Sequence, residues 1–335
     1  MKRHSPARRR APRARRAAPA ARSSPLLLLL LLTFAAGCPP QSGGLGAPPP
    51  ADSRPPPPSR ATQEVVRHVN DNCPAPGATL YSPVVTVTGA LRDRDGKRHD
   101  LDLRGVLVMK APRSIFLRLD HALESGQIQL GANDEEYWVA IRRGYETMWW
   151  GRQVNIGRPG MESLPIDPPR VADALGLRKL PERGVLGPMR ISDQSYDRLI
   201  YGRPNDDTGT ASDRVYYVDR HPPFLVRGID YLDAHGEVEM QVVLSRYAPV
   251  PGLSGLRAGR IEINWPGRNS VMKIDIEGLR VPETVHPRTF IRPTEPPEGI
   301  RTMRQIDEMY ESGGFGAESD AGRRDASTPG AQETP

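Results

Sequence analysis

The feature that most restricts the fold is a long series of short alternating segments with almost no helix between them. In "VVTVTGALRDRDGKRHDLDLRGVLVMK" two alternating runs flank Asp95-Gly96, a strong hairpin signal. On the second run Leu101, Leu103, Leu107 and Met109 share one face. "RSIFLRL" follows, with Ile115, Leu117 and Leu119 on one face, and then "GQIQLGA", "EEYWVAI" and "YETMWWG" at short intervals. Strands resume with "DRVYYVD", "PFLVRGIDYLD", "EVEMQVVLSRY", "GRIEINW" and "VMKIDIEGL", with a turn at Asp233-Ala234-His235-Gly236 between two of them. Strands at a spacing of roughly 8–12 residues, without helices between them, form an antiparallel meander that closes as a sandwich or barrel.

Two helices interrupt the pattern. "ATQEVVRHVNDN" sets Val65, Val66 and Val69 at helical spacing. "DPPRVADALGL" opens on prolines, spaces Val171, Ala174 and Leu175 helically, and stops at Gly176.

The N-terminus reads differently. Leu26 to Ala36 is uncharged and apolar but only eleven residues long. Crossing a bilayer takes about 20. Nine basic residues and no acid precede it, and Ala35, Ala36 and Gly37 follow the apolar run, so residues 1–37 read as a secretory signal peptide. Ala35-Ala36-Gly37-Cys38 resembles the lipobox of bacterial lipoproteins, although that box prefers leucine at the position of Ala35. The resemblance implies a lipid on Cys38 and a membrane anchor through it. The alternative is an ordinary signal peptide with a cysteine nearby. Pro39 follows Cys38, and aspartate there is the usual signal for retention at the inner membrane, so the expected location is the periplasmic face of the outer membrane.

Residues 38–60 contain a run with nine prolines and no periodicity, a semi-rigid tether. In a polyproline conformation it reaches up to roughly 70 Å. Residues 61–300 are long enough for one large domain. Residues 301–335 read as a short helix and a disordered tail.

Charge excludes one class of function. The whole chain carries a net charge of +6, but removing the nine basic residues of the leader turns this into −3. No basic stripe remains for nucleic acid. Of the two cysteines, Cys73 is left a lone thiol if Cys38 is lipidated, and it is expected to be buried.

The order of parts resembles the LolA/LolB superfamily of bacterial lipoprotein carriers and receptors. The residues that carry this are "DLRGVLVMKAPRSIFLRL", "EEYWVAIRRGYETMWWG", "VDRHPPFLVRGIDYLDAHGEVEMQVVLSRY" and "LRVPETVHPRTFIRPTEPPEG", and the resemblance as a whole covers roughly residues 61–300. The long tether, the "GRPNDDTGTASD" insertion and the tail depart from the family pattern. The resemblance implies a mainly β (α+β) fold: a strongly curved antiparallel sheet forming an incompletely closed barrel, with short helices covering its concave side. It also implies an acyl chain, lipid or lipoprotein in the concavity. The candidate cavity residues are Leu101, Leu103, Leu107, Met109, Ile115, Leu117, Leu119, Trp138 and Trp149.

No nucleophile elbow, zinc-protease motif or phosphate loop is present, so no catalytic residue, metal or cofactor is expected. Asp93-Arg94-Asp95-Gly96 has its glycine at the fourth position rather than the sixth, which fits a hairpin tip better than a calcium loop. The leading expectation is an envelope-anchored, non-catalytic lipoprotein that binds a hydrophobic ligand or another lipoprotein. The rival is a membrane-tethered protein-interaction scaffold with a filled core. An apolar concavity of several hundred Å³ favours the first.

Overall fold

In a computed structural model of the chain, residues 60–307 are described, apart from 94–95, 123, 156–163, 165, 183–187, 194, 204–210 and 234. The leader, Cys38, the tether and the tail from residue 308 lie outside the described residues.

The first helix, α1 (Thr62–Asp71), buries Val65, Val66 and Val69, the residues whose spacing predicts it. The second, α2 (Pro168–Ala174), buries Val171 and Ala174 and starts where the Asp167 side chain accepts a hydrogen bond from the Arg170 amide. Its chain leaves through Gly176, whose φ of +68° only glycine adopts freely.

The strands, among the described residues, are β1 (Thr79–Arg92), β2 (Arg98–Lys110), β3 (Ser114–His121), β4 (Glu124–Ala132), β5 (Glu136–Ile141), β6 (Thr147–Arg152), β7 (Met189–Ser192), β8 (Tyr196–Arg203), β9 (Ala211–Asp219), β10 (Val226–Leu232), β11 (Val238–Pro249), β12 (Leu256–Trp265), β13 (Ser270–Glu277) and β14 (Thr302–Gln305). They form one sheet in the order β14-β6-β5-β4-β3-β2-β1-β13-β12-β11-β10-β9-β8-β7. Two meanders, β1–β6 and β7–β13, therefore meet where β1 pairs with β13. The sheet keeps two free ends, so it is a curved, unclosed barrel. Every pairing is antiparallel except β14 with β6, which is parallel. Thr302–Gln305, expected in a C-terminal segment of short helix and tail, thus belong to the sheet.

Register explains the core. Leu107, Leu117, Leu130, Val139 and Trp149 lie opposite one another across β2, β3, β4, β5 and β6. A second row runs Met272, Ile263, Val242, Ile229, Tyr216 and Leu199 across β13 to β8. Both rows belong to one buried cluster that also holds the valines of α1 and Val171 and Ala174 of α2. The helices therefore cover the concave face. On this face a strand buries every second residue, which gives the period-two alternation of the sequence.

The other face has its own small cluster. Trp138 lies opposite Trp150, and both pack with Ala140, Met148, Ile300 and Met303. The Trp138 ring occupies the space a side chain at Gly131 would need. Arg292 sets its guanidinium 3.9 Å from the centre of the Trp150 ring and pairs with Glu136 at 3.1 Å. The segment after β13 thus seals the outer surface of β5 and β6.

Candidate functional site

The nine residues proposed from the sequence do not gather round one cavity. Leu103, Leu107, Met109, Ile115, Leu117, Leu119 and Trp149 are buried in the main cluster, and Leu101 packs against it half-buried. Trp138 lies on the opposite face. Residue parity decides this: Trp149 pairs with Val139, so the neighbouring Trp138 pairs with Trp150 and points the other way.

A cavity of about 210 Å³ opens instead over the second meander. Val69 and Cys73 from the end of α1 form part of its wall, as do Leu175 and Leu180 from the exit of α2. Tyr216, Ile229 and Leu244 of β9, β10 and β11 line it from the sheet. These three sheet residues belong to the main apolar cluster, so the cavity continues the concave face that β2–β6 fill with side chains.

Asn70 of α1 fixes the stretch that follows α2. Its side-chain amide donates to the Leu180 carbonyl at 3.0 Å, and its carbonyl accepts from the Leu180 amide at 2.7 Å. This reciprocal pair is buried, so both polar ends of Asn70 are satisfied without water.

Charged groups enter the cavity wall in two ways. Arg214 pairs with Asp173 of α2 at 2.9 Å and with Asp213 at 2.7 Å. Burial works against its charge, but Tyr216, Asp173 and Asp213 outweigh burial and hold its pKa above the ordinary arginine value. The Tyr216 hydroxyl is pushed up to about 12 by burial, against the pull of Arg214. Arg257 of β12 is different. It donates to the backbone carbonyls of Asn72, Leu256 and Ser254, and burial draws its pKa below the ordinary value.

Cys73 is half-buried, with its sulfur 3.7 Å from the Val69 carbonyl and 3.6 Å from that of Arg178. Burial pushes its pKa up, against Arg257 and Lys179, so the neutral thiol is favoured. The thiol is a wall group and not an activated nucleophile.

Periodicity misses this site because much of it comes from Gly176–Pro181, a stretch with no repeat. Arg257 extends the inward parity of Ile261 and Ile263, and Arg214 extends that of Tyr216 and Val218. A charged residue where the alternation demands an apolar one marks a place where the core stops being filled by side chains.

No protein-family model and no curated protein matches the chain. Solved structures similar to it include a LolA superfamily protein from Nitrosomonas europaea, 12% identical, covering 70% of this chain and 99% of that one with a TM-score of 0.44. A DUF1329 family protein from Desulfovibrio piger is 15% identical, covers 68% and 95%, and has a TM-score of 0.41. A candidate outer membrane lipoprotein-sorting protein domain from Vibrio parahaemolyticus is 10% identical, covers 68% and 95%, and has a TM-score of 0.42.

Proposed function

We propose that this protein is an envelope lipoprotein, anchored through Cys38, that binds the aliphatic part of a hydrophobic ligand in the cavity between α1, α2 and β9–β12 and performs no covalent chemistry. The observation that carries the reading is the cavity itself. There, among the described residues, the helices and the apolar sheet row leave space between them. Each buried CH₂ contributes about 0.8 kcal/mol, so a long acyl chain offers on the order of 10 kcal/mol before the costs of association. A volume of about 210 Å³ is below the ~300–1,000 Å³ of an ordinary small-molecule pocket, so it takes only part of such a chain.

The test uses a fluorescent fatty-acyl probe and Leu175→Glu. Leu175 lines the cavity and is only half-buried. A carboxylate there can reach water, so the melting temperature should stay within a few degrees of the parent. Probe affinity should fall at least about tenfold, because the chain would meet a charge. A parent that binds no probe would rule the reading out.

A packed β2–β6 half favours the second reading, a tethered scaffold, over that part of the sheet. The two readings separate on whether the other half takes up a ligand.

The anchor has its own expected result. Cys38→Ser should leave an uncleaved or soluble product, and the parent should fractionate with the outer membrane in a two-membrane cell. Normal maturation and membrane fractionation of the serine variant would remove the anchor from the account.

A further inference from the structure

We infer that the cavity selects an amphiphile with an anionic headgroup, carboxylate or phosphate monoester, which the Arg257 guanidinium holds. This rests on the hydrophobic-ligand reading above and specifies the polar end of the ligand. Arg257 is 7% exposed and lines the cavity. Its two terminal nitrogens are used: Nη1 donates to the carbonyls of Asn72 and Leu256, and Nη2 to that of Ser254 at 3.2 Å. Its Nε is buried and has no hydrogen-bond partner. Among the described residues no carboxylate pairs with it, whereas Arg214 in the same wall has Asp173 and Asp213.

The physical consequence follows from charge burial. Carbonyl dipoles hydrogen-bond a guanidinium but do not neutralise it, and a buried charge without a counter-ion is strongly penalised. A neutral chain entering the cavity would dry Arg257 further and raise that penalty. An anion at the guanidinium would supply the missing charge, and charge-assisted bonds to such a group are roughly twice as strong as neutral ones. The rest of the wall has the same sign. Arg178 and Lys179 are exposed lining residues, so the lining holds four basic residues and two acidic ones, and both acids are engaged by Arg214. This excess of positive charge sits in a chain that is net negative once its leader is discounted.

Four ten-carbon ligands differing only in headgroup test this on the full chain by calorimetric titration: decanoate, monodecyl phosphate, decanol and decyltrimethylammonium. At least one of the two anions should bind at least about tenfold more tightly than decanol, and decyltrimethylammonium should bind weakest. The tighter anion identifies the headgroup as a fatty-acid carboxylate or a phosphate. Arg257→Gln should bring that anion to the level of decanol. If this variant does not fold, the headgroup series on the unaltered chain decides alone. Equal binding of decanol and both anions would overturn the anion inference and leave the apolar site standing. Absence of binding by all four would overturn the hydrophobic-ligand reading and this inference with it.

Discussion

Leu117→Glu should unfold the domain or lower its melting temperature by at least about 10 °C. Leu117 is 4% exposed and sits in the middle of the row Leu107, Leu117, Leu130, Val139, Trp149. The substitution removes about 1.5–3 kcal/mol of apolar burial and adds several kcal/mol for an unpaired buried ion. For a domain of this size 1 kcal/mol corresponds to roughly 2–4 °C. Leu175→Glu makes the same chemical change at the cavity wall and should leave melting almost untouched. The pair separates a filled half of the concave face from an open one. Thermal melting followed by circular dichroism reads both variants, and a Leu117→Glu protein that melts like its parent would mean that β2–β6 are not packed as described.

Gly89→Val should cost about 2–4 kcal/mol, because it combines overpacking against backbone with a left-side φ. Gly89 has φ +140°, and a Cβ added there would fall on the Val271 carbonyl of β13. Gly89 and Met272 are opposite one another in the β1–β13 ladder that joins the two meanders, so the clash falls on the seam that makes one sheet out of two. Gly96→Ala is the control. Its φ is +76°, but a Cβ there meets nothing within 4 Å, so only the conformational cost of about 1 kcal/mol applies. Chemical denaturation should rank the two far apart. Equal losses would mean that β1 and β13 do not approach as closely as the register requires.

The sequence states most of the sheet because most of its strands bury one face only. Leu101, Leu103, Leu107 and Met109 alternate strictly, and the fold follows that alternation. β8 escapes it. Asp197 occupies an inward position in line with Leu199 and Tyr201, where it accepts a 2.5 Å hydrogen bond from Ser192 and lies 3.7 Å from Arg190. An inward charge beside the edge strand β7 breaks the pattern a reader seeks and also discourages pairing with another chain. β14 is hidden for another reason. Four residues, "TMRQ", carry no period, and only their return to β6 makes them a strand.

The cavity was less legible than the sheet. Its position depends on which half of the concave face the helices press upon, and that is a property of packing between distant segments. The reciprocal Asn70–Leu180 hydrogen bonds join residues 110 apart in sequence. Residue type alone puts Trp138 with the apolar face, whereas the register with Trp150 places it outside. Arg214 and Arg257 mark the cavity in the sequence, since each puts a cation where the strand parity calls for an apolar side chain.

Native mass spectrometry of the full chain, extracted from the membranes of the cells that make it, tests ligand binding in the cavity most directly. The account predicts an aliphatic adduct that is present under native conditions, lost on denaturation, displaced by the fatty-acyl probe and diminished in Leu175→Glu. A parent chain that carries no adduct and takes up no probe would contradict it.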